Sequence, residues 1–377
     1  MYRIFYPERD TTLYERFPDQ NTGIDQILEL TKHASGSVIN GRYHSDTYNT
    51  RFLIDFGTEV DKLISSVNSN KIPPIGRTAN SASVYLSIRS SDATDLLQKY
   101  ILYAFPVSQS WSHGQGNAND NPKTTLGASW NYRDNIYATK WDTGSAGSSG
   151  DMSATITSGG GTWITGSTYE ASQSFENQVP DIRIDVTDIV DHWVKGDIDN
   201  NGFIIKRSHT DENSGAILGS IKFFSRESHT IFVPKLEVVW NNTTFADTGS
   251  AEISTNSYVP YFKNIKSEYR TSEITKFRIG VRSEFPTKTY ATSSFYLTNN
   301  RLPTSSYYSI IDSITNEIII ANDTLGTQID CDVNGSFFKL RMDSFMPERY
   351  YKIQLKIERD GGDDIQTFDD FYFKVVN

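Results

Sequence analysis

One cysteine, four methionines and no cluster of basic residues in 377 positions remove several function classes at the outset. Cys331 stands alone, so no intrachain disulfide can form. Its alternating setting, Ile329–Val333, has no histidine nearby and predicts a buried structural thiol rather than a nucleophile. The net charge is −10. Binding a phosphate backbone or an anionic bilayer needs grouped Lys and Arg, so neither nucleic acid nor a membrane surface is a predicted partner. No apolar run approaches the length of a membrane span. Met1–Asp10 lacks the apolar core of an export signal, which predicts a protein made and kept in the cytoplasm until release. The six histidines form no ligand-spaced pair, and there is no Gly-x-Ser-x-Gly elbow and no phosphate-binding loop. The acidic pairs Asp363-Asp364 and Asp369-Asp370 fall at a turn and a strand start, where solvation accounts for them. No enzyme is predicted.

What is present is strand chemistry. Aromatic residues make up 13% of the chain, with 21 Tyr and 21 Phe, and such residues favour strands over helices. Tyr351–Glu358 alternates perfectly, with Tyr351, Ile353, Leu355 and Ile357 on one face. Tyr100–Val107 is apolar on both faces, as a central strand would be. Helical spacing is confined to 60–67 and 188–195, the second started by Thr187-Asp188 and stopped by Gly196. Ser108–Asn121 and Gly144–Gly150 read as flexible loops, Thr289–Ala291 as a strand and Asp360–Asp363 as a hairpin turn. The polar stretch 241–257 reads as a linker between a module at 1–240 and one at 258–377. About seven short strands in the latter predict an Ig-like sandwich.

The first module also carries motifs in a recognisable order. Asp185–Trp193 (DVTDIVDHW), Asn200–Lys206 (NNGFIIK), Phe223–Glu227 (FFSRE) and Pro234–Val239 (PKLEVV) follow Pro18–Gly23, Arg51–Phe56, Ala82–Ile88, Ser129–Arg133 and Trp141–Ser145. In order and spacing this resembles the DNRLRE-type jelly-roll domain over roughly 1–240, with inserts at 68–80 and 112–126. The resemblance implies an all-β jelly-roll sandwich with one or two short helices and no conserved catalytic set. Such domains occur in exported surface proteins and in phage virion proteins. Without an export signal, the resemblance implies a structural virion protein. Pro347–Ile353 and Phe371–Val376 are similar to C-terminal domains of marine tailed-phage proteins, of the myovirus type. The implied role is a non-enzymatic component of neck, tail or capsid. Its partners would be other virion proteins, in many copies within a symmetric assembly.

Three residue groups are the candidate sites. Asp197, Asp199 and Asn201, followed by Gly202, repeat the first half of a calcium loop, but position twelve is Ser208 and the exit is a strand. A tight helix-to-strand turn uses the same residues, so no cofactor is required and calcium is the one ion the pattern would suit. Trp111 and Trp141 lie near loops, where exposed rings could stack on sugars. They carry the alternative reading, a carbohydrate-binding module serving as a receptor-binding tail component or as an accessory of a cell-surface enzyme. Phe371, Phe373 and Val375 lie on a terminal strand whose edge could pair with a neighbouring subunit.

Overall fold

The computed structural model describes residues 1–39, 42–142, 159–245, 250–286, 300–359 and 364–377. The chain is all-β, and its packing divides it into two compact units. One is Phe5–Glu237; the other joins Val238–Asn377 with Met1–Ile4. No helix among the described residues is long and apolar enough to cross a membrane.

Strand β1 (Tyr2–Phe5) opens the chain. The larger unit then runs through β2 (Arg9–Tyr14), β3 (Ile27–Ile39), β4 (Arg42–Asp55), β5 (Ser83–Ile88), β6 (Ser90–Thr94) and β7 (Lys99–Pro106). A small hairpin, β8 (Tyr132–Asp134) and β9 (Thr139–Lys140), precedes β10 (Ala171–Glu176), β11 (Ile182–Asp185), β12 (Phe203–Arg207), β13 (Gly219–Phe224) and β14 (Lys235–Val239). Its main sheet has the order β10-β7-β12-β4-β3-β13-β6 with β2 beside β4, and a smaller one contains β14-β5-β11. This is a β-sandwich, the all-β architecture expected. β12 is buried at all five positions because β4 and β7 flank it and both its faces are covered. The two-sided apolar run at Tyr100–Val107 is indeed an interior strand, β7, between β10 and β12.

Both expected helices are present. Helix α1 (Gly57–Asn68) buries Val60 and Leu63; α2 (Thr187–Lys195) buries Ile189, Val190 and Trp193. Gly196 ends α2 with φ +77°, the left-handed stop its sequence position called for. The helix start differs from expectation. Thr187 is already helical, and the Asp185 carboxylate accepts the Thr187 backbone N–H at 3.0 Å, while Thr187 Oγ1 accepts the Val84 N–H at 2.9 Å. A short third helix, α3 (His209–Asn213), starts at Ser208, whose hydroxyl accepts the Asp211 N–H. Five residues give too little periodicity to show in sequence.

The stretch from Ser108 to Asn121, read as a solvent loop, is anchored. Asn21, fully buried, donates from Nδ2 to the carbonyls of His113 (2.9 Å) and Ala128 (2.8 Å). Its Oδ1 accepts the N–H groups of Gly23 (3.1 Å) and Gly116 (2.9 Å). Gly114 sits at φ +78° against that amide, where a Cβ would lie 2.2 Å from Asn21 Oδ1. Asn21→Ala orphans four buried backbone groups and is expected to cost about 2–3 kcal/mol. Limited proteolysis should then cut within 112–128 well before the rest of this unit. Unchanged resistance there would contradict the anchoring role.

The smaller unit contains β15 (Ala251–Glu252), β16 (Tyr258–Phe262), β17 (Glu268–Arg270), β18 (Ile274–Ser283), β19 (Asn300–Arg301) and β20 (Ser306–Asp312). It continues with β21 (Ile318–Ile320), β22 (Asp330–Asp332), β23 (Gly335–Arg341), β24 (Arg349–Arg359) and β25 (Asp364–Val376). One sheet runs β15-β19-β18-β23-β22 with β16 on β18, the other β17-β25-β24-β20-β21. This is a second sandwich, with eleven described strands where about seven were expected. Its core is aromatic: Phe277 stacks on Phe338, Phe338 on Tyr308, and Phe373 meets Tyr269, Phe277, Phe345 and Tyr351. Tyr351, Ile353, Leu355 and Ile357 are all buried, as their alternation predicts, and so is Cys331.

Two boundaries need correction. Met1–Ile4 belong with the smaller unit: Ile4 N–H donates to Ser344 Oγ at 3.1 Å and Tyr2 Oη to Asp323 Oδ2 at 3.1 Å. Within the expected linker 241–257, Ala251–Glu252 pair with β19 and Ile253 is buried. Arg359 reaches the Ile253 carbonyl at 2.9 Å and Asn256 Oδ1 at 3.0 Å. Polar composition read as a spacer; in the fold these side chains serve as hydrogen-bonding partners. The loop at 144–150, the strand at 289–291 and the turn at 360–363 lie outside the described residues.

Candidate functional site

The densest chemistry lies inside the larger unit. Lys32 on β3, Arg51 on β4, Lys206 and Arg207 on β12 and Glu212 on α3 are all buried. Arg51 grips Glu212 with two bonds, Nε to Oε1 at 3.0 Å and Nη2 to Oε2 at 2.8 Å, and Lys206 Nζ lies 3.0 Å from Oε2. Lys32 donates to the carbonyls of Asp211 (2.6 Å) and Glu212 (2.7 Å). Arg51 also lies over Trp130 and Trp163, 4.8 and 5.1 Å from the ring centroids, and donates to the Gly160 carbonyl at 2.8 Å. Burial by itself would raise the Glu212 pKa, but Arg51 and Lys206 outweigh it and hold the carboxyl below its ordinary value. These groups are committed to one another and shielded from solvent. The arrangement fastens α3 and the Gly159–Gly161 turn to the sheet and offers nothing to a substrate. No local pattern marks it, since Arg51 and Glu212 are 161 residues apart.

The residues singled out from sequence fare differently. Asp197 Oδ2 lies 2.7 Å from His192 Nδ1, Asp199 is exposed, and the Asn201 carbonyl accepts from Trp111 Nε1 at 3.0 Å. Gly202 sits at φ +82°, where a Cβ would lie 2.3 Å from the Ile54 carbonyl. These contacts close a helix-to-strand connection. Among the described residues, no three His, Cys, Asp or Glu side chains gather as a metal site.

Trp111 and Trp141 are 3% and 4% exposed and belong to one core cluster with Trp130, Trp163, Leu13 and Leu53. Trp141 Nε1 donates inward to the Ser129 carbonyl at 2.8 Å. The expectation of a sugar platform on these two rings is therefore corrected. Arg9 lies over the Trp111 ring, 4.5 Å from its centroid, and both rings are packed within the core, so neither is open to a ligand.

The assembly strand is corrected in part. Phe373 and Val375 are buried, and Phe371 is half-buried. β17 runs parallel along the outer side of β25, with Tyr269 opposite Val375 and Arg270 opposite Val376. The last residues are thus interior to a sheet. Upstream, no described strand flanks 367–373 on that side. There the register against β24 slips between Ile353 and Leu355, bulging Asp369 and Asp370, and Lys352 pairs with Asp369 at 3.2 Å. No family model, no curated protein and no solved structure matches the chain.

Proposed function

We propose that this protein is a non-enzymatic structural component of a tailed-phage virion, acting in many copies through protein–protein assembly. The larger unit would be its jelly roll, similar to the DNRLRE type, and the smaller unit its Ig-like module. The observation that carries the reading is the part-covered edge of β25. It pairs with β24 on one side, while on the other β17 reaches only Lys374–Val376. An open edge invites strand addition, and a bulge bearing carboxylates blocks indiscriminate pairing. A partner segment would therefore have to bring cations opposite Asp369 and Asp370. The test is quantitative mass spectrometry of purified particles. A fixed copy number is expected, falling at least about tenfold in Asp370→Lys, whose exposed side chain leaves the melting temperature unchanged. Absence from particles would overturn the virion reading; normal incorporation of the variant would overturn the edge.

A further inference from the structure

An amine and an amide meet inside the larger unit where β4 exchanges one partner strand for another. Lys32 on β3 and Asn49 on β4 are directly opposite in the antiparallel register, which puts both on one face of the sheet with Cβ atoms about 5 Å apart. From Thr50 onward β4 pairs with β2. Lys32 is 0% exposed. Both side chains reach one acceptor: Lys32 Nζ donates to the Glu212 carbonyl at 2.7 Å, and Asn49 Nδ2 donates to the same oxygen at 3.3 Å. Glu15, the residue after β2, completes the group. Its Oε2 accepts the Asn49 backbone N–H at 2.8 Å and Asn49 Nδ2 at 3.0 Å.

These three side chains have the chemistry of an acyl transfer. Every hydrogen-bond partner of Nζ among the described residues is uncharged: the carbonyls of Asp211, Glu212 and Ser214 and the Ser214 hydroxyl. Burial pushes the Lys32 pKa down against the pull of Glu212 and Glu15, which favours the neutral amine, the form that attacks a carbonyl. The Asn49 amide is held in one orientation by its two Nδ2 contacts, and its Oδ1 is buried without a partner. Such an unsolvated amide starts from a raised energy. Glu15 holds the nitrogen that would have to leave, the position a proton carrier needs.

We propose that Lys32 and Asn49 join in an intramolecular isopeptide bond, with Glu15 carrying the proton. Nζ attacks Cγ, the Cγ–Nδ2 bond breaks, and the nitrogen departs as ammonia. Of the two protons on the neutral amine, one stays in the new amide and the other passes through Glu15 to the leaving nitrogen. No oxidant or co-reactant enters, and no outside ligand has to reach the buried atoms. The product closes residues 33–48 into a covalent loop and ties β3 to β4 where their ladder ends. In a chain with a single cysteine, it supplies a cross-link that no disulfide can. The inference is independent of the assembly reading, which concerns the edge of β25.

The test is the intact mass of the purified full chain, unfolded in denaturant, followed by peptide mapping. The wild type should be lighter than its sequence by one ammonia and should yield a branched peptide joining Lys32 to Asn49. Asn49→Ala and Lys32→Arg should each show the full sequence mass. Glu15→Gln keeps an oxygen for the Asn49 N–H groups, so its circular dichroism should match wild type while the linked fraction falls at least about tenfold. A wild-type chain of full sequence mass overturns the proposal. So does an ammonia loss that persists in Asn49→Ala, or one that maps to linear peptides, as a succinimide would. An unchanged linked fraction in Glu15→Gln overturns the assignment of the proton carrier.

Discussion

Glu212→Ala is expected to destabilise the larger unit by about 3–5 kcal/mol, measured by urea unfolding. Among the described residues, Glu212 is the one carboxylate in direct contact with two buried cations, Arg51 and Lys206. Without it, the Arg51 guanidinium loses its paired carboxylate in a dry interior. The attraction of Arg51 to Trp130 and of Lys206 to Trp163 recovers only part of that cost. A loss under 1 kcal/mol would mean that the cluster is hydrated in the folded protein. The same residue sets an acid limit. Its folded pKa lies below the ordinary value of 4.5, because Arg51 and Lys206 overcome the effect of burial. The stability it supplies is present above pH 4.5 and is lost as pH falls through the folded value. Wild type should weaken below that point, and Glu212→Gln should lack this component.

Asp10→Asn is expected to act in the opposite direction, stabilising the protein by roughly 4 kcal/mol at pH 8 and hardly at all at pH 4. Asp10 is 1% exposed. Its Oδ2 accepts the Arg226 backbone N–H at 2.6 Å, while Oδ1 is buried without a partner. Burial dominates over that hydrogen bond and raises the carboxyl from 3.8 to about 7. The folded protein thus holds a proton that the unfolded chain releases. The contribution is complete below pH 3.8 and lost as pH rises through about 7. Asparagine keeps the acceptor for Arg226 without an ionisable group. Denaturation curves for both proteins at pH 4, 6 and 8 check this. A difference independent of pH would show that Asp10 stays ionised throughout.

The two variants probe groups that local sequence hides. Asp10 sits on β2 in the polar run Arg9–Thr12, where an acid reads as solvent-facing, and its hydrogen-bond partner Arg226 is 216 residues away. Glu212 lies in a polar run, Ser208–Ser214, that composition assigns to the surface. Equally invisible is the exchange of one partner strand for another by β4 at Asn49–Thr50, a matter of strand pairing rather than of any residue pattern.

The sequence by itself determined what depends on neighbours along the chain. The all-β class, helices near 60–67 and 188–195, the Gly196 stop and the inward face of Tyr351–Ile357 all follow from periods of 2 and 3.6 and from backbone preferences of single residues. Tertiary structure decided what depends on who packs against whom. Trp111 and Trp141 are core because they pack with Leu13, Leu53, Phe105 and Ile204, residues of strands far apart in the chain. The end of β25 is interior because β17 arrives from a hundred residues earlier and pairs in parallel. Side-chain alternation states which face a residue takes, but it is silent on which strand lies alongside, and an edge is defined by that neighbour alone.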